Sequence, residues 1–113
     1  MARAAVTASL DDPDFPAYTT GQAAELLGVR QAFLRSLDTA GAVVPARSQG
    51  GRRRYSQRQL VLAARVRSLF DEGHALAAAL RILALEDDLA AERALTASLR
   101  ARLVGRDTPP ARQ

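Results

Sequence analysis

Between residues 42 and 55 the helical periodicity that runs through most of this chain stops. Val43 and Val44 are β-formers, Pro45 cannot sit inside a helix, and Ser48-Gln49-Gly50-Gly51 is a turn sequence. Arg52, Arg53, Arg54 and Tyr55 return on the far side of that turn, so the segment reads as a β-hairpin with an arginine-rich second strand. Helical segments flank it on both sides, which limits the chain to a mostly helical fold carrying one small hairpin.

Upstream, Thr19 or Thr20 is a suitable N-cap for a helix running to Leu27, with Ala23, Ala24 and Leu27 on one face and Leu26 beside them. Gly28 ends it. A second helix spans about 30–39, with Phe33, Leu34 and Leu37 as its apolar stripe and Gly41 at its end. Two short helices joined by Gly28-Val29 make a helix-turn-helix, and the hairpin behind them makes a wing. Downstream, Ser56 caps a helix over about 57–70, with Leu60, Ala63, Val66, Leu69 and Phe70 on its buried side. Asp71-Glu72-Gly73-His74 breaks that helix, and a last one covers about 76–103. The predicted fold class is all-α with a small β-hairpin: a winged helix-turn-helix followed by a C-terminal dimerisation helix. The expected organisation is a flexible N-terminal arm over 1–17, the winged domain over 18–73, a helical dimerisation or partner segment over 74–103, and a disordered tail over 104–113, where Gly105, Pro109 and Pro110 oppose helix.

Charge is distributed unevenly. The net charge is +4, and all sixteen basic residues are arginine. From Thr39 to Phe70 there is no acid, while Arg47, Arg52, Arg53, Arg54, Arg58, Arg65 and Arg67 fall there. From Asp71 to Arg93 the balance reverses, with Asp71, Glu72, Glu86, Asp87, Asp88 and Glu92 against Arg81 and Arg93. A basic block in the middle of a small domain is the footprint expected for a polyanion partner.

Several function classes fall away. With no cysteine there is no disulfide, thiolate metal site or cysteine nucleophile. His74 is the single histidine and lies in a predicted loop, so no nitrogen-rich metal site forms around it. Glu86-Asp87-Asp88 reads as a solvated face, and Gly50-Gly51 lacks the strand-to-helix setting of a phosphate loop. No enzyme activity, metal or cofactor is expected. No apolar run approaches the roughly 20 residues that span a bilayer, and the N-terminus is too weakly apolar for a signal peptide. The expected location is cytoplasmic and nucleoid-associated, with no membrane partner.

The chemistry that remains is recognition of double-stranded DNA. The major groove admits one α-helix, and the second helix of a helix-turn-helix is the one presented to it. Arg30, Gln31 and Arg35 are early, outward-facing positions of that helix, with side chains suited to guanine edges, adenine or phosphate. On the wing, Arg52, Arg53 and Arg54 are placed to lay guanidinium groups along the phosphate backbone.

Here the sequence resembles the mercury-resistance-regulator (MerR) family. The segment from Tyr18 to Val29 is similar to its first helix and turn, Leu34-Arg35 with Asp38 and Gly41 to its second helix, and Pro45-Ala46-Arg47 with Gly50 through Ser56 to its wing. Asp71-Glu72-Gly73 and Leu83-Ala84-Leu85-Glu86 resemble the heat-shock-repressor branch. The resemblance covers about residues 18–90. It implies a dimeric transcription factor on a palindromic operator, with repression as one mode of action. It also implies DNA contacts from Arg35 and the wing arginines, with Tyr55 packing or touching phosphate at the wing's end; Thr20 and Arg47 are further candidate DNA contacts. Two positions depart from the family pattern: Leu37 replaces an aromatic that helps hold phosphate, and Phe33 replaces a small polar residue.

In the last helical segment Ile82, Leu85, Leu89, Leu99 and Leu103 fall near heptad a and d positions, interrupted by Glu92 and Thr96. They predict a short, imperfect homodimer seam; the alternative is one amphipathic helix folded back on its own domain. Two other functional readings compete with the regulator. One is a protein-interaction module that docks a chaperone or RNA polymerase through its acidic C-terminal helix. The other is a nucleoid-associated binder with little sequence preference.

Overall fold

A computed structural model of the protein describes residues 11–107. Among these residues the elements are α1 (Thr20–Leu27), α2 (Gln31–Thr39), β1 (Ala46–Arg47), β2 (Arg53–Arg54), α3 (Gln57–Asp71) and α4 (Leu76–Asp107). The mostly helical fold with one antiparallel hairpin is the class the sequence predicts.

The helix starts are fixed by reciprocal caps. Thr19 Oγ1 accepts from Gln22 N at 3.1 Å while Gln22 Oε1 accepts from Thr19 N at 2.9 Å. Ser56 and Gln59 repeat the arrangement at 3.1 and 3.0 Å. Each box satisfies two amide donors that a helix start would leave without partners. Gly28, at φ 65°, closes α1 in the left-handed region and turns the chain directly into α2.

Leu34, Leu37, Tyr55, Ala63 and Val66 have no exposed surface, and Val43 keeps only 2 % of its own. They form one core under α1, α2, α3 and the base of the wing. From α4 only the first turns join it, through Ala79 and Leu83. Residues 84–106 are exposed, so the rest of α4 projects from the domain, and the molecule measures 64 × 47 × 21 Å.

The hairpin is shorter than its sequence suggests. The strands pair as Ala46 with Arg54 and Arg47 with Arg53. Val43 and Val44 stand outside them. Ala42 N and Val43 N both donate to Leu37 O, at 2.9 and 3.3 Å, so this stretch caps the end of α2 and buries Val43. A further rung is not apparent from sequence: Tyr18 and Tyr55 exchange backbone hydrogen bonds of 3.0 and 2.7 Å, stitching the entry to α1 onto the end of the wing.

Both flanks differ from expectation within the described residues. Part of the arm is held: Pro13 O accepts from Arg58 N at 3.0 Å, and Arg58 Nε reaches Asp14 at 2.7 Å. The cause is the need of the first amides of α3 for acceptors. At the other end α4 continues past Leu103 through Gly105 to Asp107. A helical glycine costs about 1 kcal/mol relative to alanine, which one residue in a long helix absorbs. The rest of the expected arm (1–10) and tail (108–113) lies outside the described residues.

Candidate nucleic-acid interface

An open cleft of about 420 Å³ lies between the start of α1, the exposed face of α2 and the wing, lined by Thr19, Thr20, Gly21, Gln31, Arg35, Arg47, Gly51, Arg52, Arg53 and Arg54. Helix geometry builds one wall. Leu34 and Leu37 turn into the core, so Gln31 and Arg35 on the same helix face outward. Gly21 lies beside Gln31 at the floor of this wall; a Cβ there would stand 3.5 Å from Gln31 Nε2, an ordinary contact. The hairpin builds the other wall. Ser48 N donates to Arg52 O at 2.8 Å, Arg52 N to Ser48 Oγ at 3.2 Å, and Gly51 adopts φ 78°, which favours glycine.

Seven of the nine sequence-predicted DNA residues therefore share one surface: Thr20, Gln31, Arg35, Arg47, Arg52, Arg53 and Arg54. Arg30 is exposed at the N-cap of α2 but does not line the cleft. Of the two roles expected for Tyr55, packing or touching phosphate, the structure shows packing and corrects its place among the DNA contacts. Its side chain has no exposed surface, so it packs beneath the wing and is not available to phosphate. The Tyr55 hydroxyl is buried beside Thr20 without a well-directed hydrogen bond. Burial pushes its pKa up, opposed by the Thr20 side chain and the Arg53 guanidinium.

The two positions that depart from the family pattern have structural roles. Leu37 is core, so nothing at that site reaches a phosphate. Phe33 turns toward α3, meeting the Phe70 ring edge-on at 5.6 Å, with the Arg67 guanidinium 5.7 Å from its own centroid.

One participant is missed by sequence reasoning. Asp38 Oδ2 accepts from Arg53 Nε at 2.7 Å and lies 3.5 Å from Arg47 NH2. A signal exists in the sequence, since Asp38 is the one acid between Glu25 and Asp71.

On α4, Leu85, Leu89, Leu99 and Leu103 are each between 46 and 59 % exposed, and Leu95, which the predicted seam omits, is 56 % exposed. Ile82 is half-buried at the edge of the core contact. Glu86 and Asp87 are not merely solvated: Arg65 of α3 reaches them at 3.5 and 2.9 Å. Among the described residues no group of three acids or histidines is placed to hold a metal ion, and no helix is long and apolar enough to cross a membrane.

Two short helices, a basic wing against them and outward polar groups on the second helix define a winged helix-turn-helix of the nucleic-acid-binding class. Residues 18–86 match the family described as MerR HTH family regulatory protein. The chain belongs to that family, whose members are DNA-binding transcription regulators rather than enzymes. It is also 42 % identical over 96 residues to a Streptomyces coelicolor protein named as heat shock protein HspR, a match covering 84 % of this chain and 64 % of that one.

Proposed function

We propose that the protein represses transcription by binding a palindromic DNA operator as a homodimer. The start of α2 enters the major groove, where Gln31 and Arg35 read base edges, while Arg52 and Arg54 of the wing rest on flanking phosphate. The single observation that carries this reading is the shared cleft, which gathers polar and arginine side chains from three elements onto one surface. Dimerisation through the exposed leucines of α4 would supply the two-fold symmetry that a palindrome requires. The heat-shock name of the Streptomyces relative directs attention to stress-response genes as targets.

A salt titration on duplex DNA tests the reading. With about four phosphates neutralised per protomer, log affinity should fall against log salt with a slope near −7 for a dimer. Replacing Arg52 and Arg54 with alanine should weaken all duplexes similarly. It should also flatten that slope by about 2 for each phosphate that a protomer's wing no longer neutralises. A slope unchanged by the double variant would take the wing out of the interface.

A second reading rests on the projection of α4. Asp88 and Glu92 lie on its free length and are exposed, a surface suited to docking a basic face of a chaperone or of RNA polymerase.

A further inference from the structure

Asp38 lies beside a cleft whose charged lining groups are all arginines, and it is paired with two of them. An uncompensated carboxylate there would repel DNA, so its presence needs a physical reason. The geometry supplies one. Arg53 Nε donates to Asp38 Oδ2 at 2.7 Å, with the two side chains only 28 and 14 % exposed. Arg47 lies 3.5 Å from the same oxygen and also donates from NH1 to Gly51 O at 3.1 Å, across the wing's own turn. One carboxylate on α2 therefore holds both strands of the hairpin, since Arg47 and Arg53 are the register pair of the ladder.

The other contacts act at the hairpin's base: Ala42 N and Val43 N donate to Leu37 O, and Gln59 Nε2 donates to Val44 O at 2.6 Å. Each strand is two residues long, and the ladder ties the strands only to one another. The Tyr18–Tyr55 rung fixes the hairpin's base to the approach to α1. Among the described residues, the Asp38 pairs are the ion-paired link between the paired strands and α2. They also leave Arg53 usable, because a guanidinium that donates through Nε retains both terminal nitrogens for an anion.

We propose that Asp38 is a positioning residue: it locks the wing onto α2 through Arg53 and Arg47, giving up part of the general attraction for phosphate in exchange for one fixed spacing between the base-reading helix and the backbone-gripping hairpin. This role rests on the DNA-binding reading above and adds to it a residue that governs discrimination. Without the carboxylate, Arg47 and Arg53 are freer to meet any phosphate, so binding to arbitrary DNA tightens. The wing then no longer holds α2 in a single register, so preference for the correct sequence falls.

The test uses the full chain, Asp38→Asn, Asp38→Glu and Arg53→Gln. The probes are a random-sequence duplex and a duplex recovered by the parent protein from a randomised pool, both titrated over a salt series. Asp38→Asn should bind the random duplex several-fold tighter at low salt, with a slope steeper by about 2 for each arginine that both protomers of the dimer release onto phosphate. Its preference for the selected duplex should fall about tenfold, roughly the discrimination one good base contact provides. Asp38→Glu, which keeps the charge, should recover most of that preference. Arg53→Gln breaks the same bond from the other side and should lower preference while making the slope shallower, which keeps the test decisive if Asp38→Asn does not fold. Asp38→Asn matching the parent in slope and preference overturns the role of Asp38 alone, as does Arg53→Gln weakening both duplexes equally. A parent that binds neither duplex overturns the DNA reading and this role with it.

Discussion

Arg65 in α3 donates from NH1 to Asp87 Oδ1 in α4 at 2.9 Å, with Glu86 3.5 Å from its other terminal nitrogen. The pair sits just beyond Leu83, where α4 leaves the core. It braces the root of the projecting helix against the helix that follows the wing. The hydrogen bond that Arg65 donates to Asp87 raises the Arg65 pKa, and the guanidinium stays charged at any ordinary pH.

Asp87→Asn should therefore have little effect on stability. The partners are 35 and 64 % exposed, and an exposed pair of this kind contributes about 0.5 kcal/mol. Urea unfolding at low and high salt checks this: the deficit should shrink as salt rises. A loss well above that size would mean that the bracing is structural rather than electrostatic.

Tyr55 offers a test of opposite sign. Its hydroxyl is buried without a well-formed hydrogen bond, so Tyr55→Phe removes a polar group that folding strips of water. The variant should be as stable as the parent, or more stable by about 1 kcal/mol, and should keep full DNA affinity. The pH dependence has a definite direction. Burial raises the folded-state pKa above the ordinary 10.0. Above pH 10 the unfolded chain then loses this proton first, so parent stability falls as pH rises toward and through the folded value. Tyr55→Phe should lack that component, and unfolding curves on both proteins above pH 10 would show it.

Leu37→Ala should cost about 2–5 kcal/mol, because the side chain is fully buried and its loss leaves a cavity. In a domain this small, that is a large part of the total stability. Thermal unfolding gives the answer. A loss below 1 kcal/mol would place Leu37 at the surface, where the family's aromatic would sit.

The helical elements were legible because local rules governed them. Thr19 and Ser56 are caps whose partners stand three residues on, and Gly28 is a helix end that needs positive φ. Leu34, Leu37, Leu60, Ala63 and Val66 follow helical spacing into the core. What sequence reasoning missed depended on distant partners. Val43 reads as a strand residue by type, yet the free carbonyl of Leu37 draws it onto the end of α2. The Tyr18–Tyr55 rung joins positions far apart in the chain, and Tyr55 became core because that rung brings the wing's end under α1. The basic residues of the site could be read from composition and hairpin placement. Asp38 could not be assigned a role until Arg47 and Arg53 were known to converge on it.

Assembly carries the last prediction. Leu85, Leu89, Leu95, Leu99 and Leu103 are exposed along one side of α4, away from the Ala79 and Leu83 face that joins the core. A run of leucines left in water along a projecting helix is costly unless a second surface covers it. Glu92 and Thr96 interrupt the seam, so pairing should be marginal, with the dimer population rising with concentration and with operator. Leu85→Asp and Leu89→Asp each place a charge in the seam without touching the buried residues of the winged domain. Both variants should keep the parent's helical signal and winged fold, shift to monomer in light scattering, and lose most of their affinity for a palindrome while retaining weak binding to a half-site. Monomeric parent protein at tens of micromolar that nonetheless grips a palindrome tightly would show that the leucine stripe serves another partner.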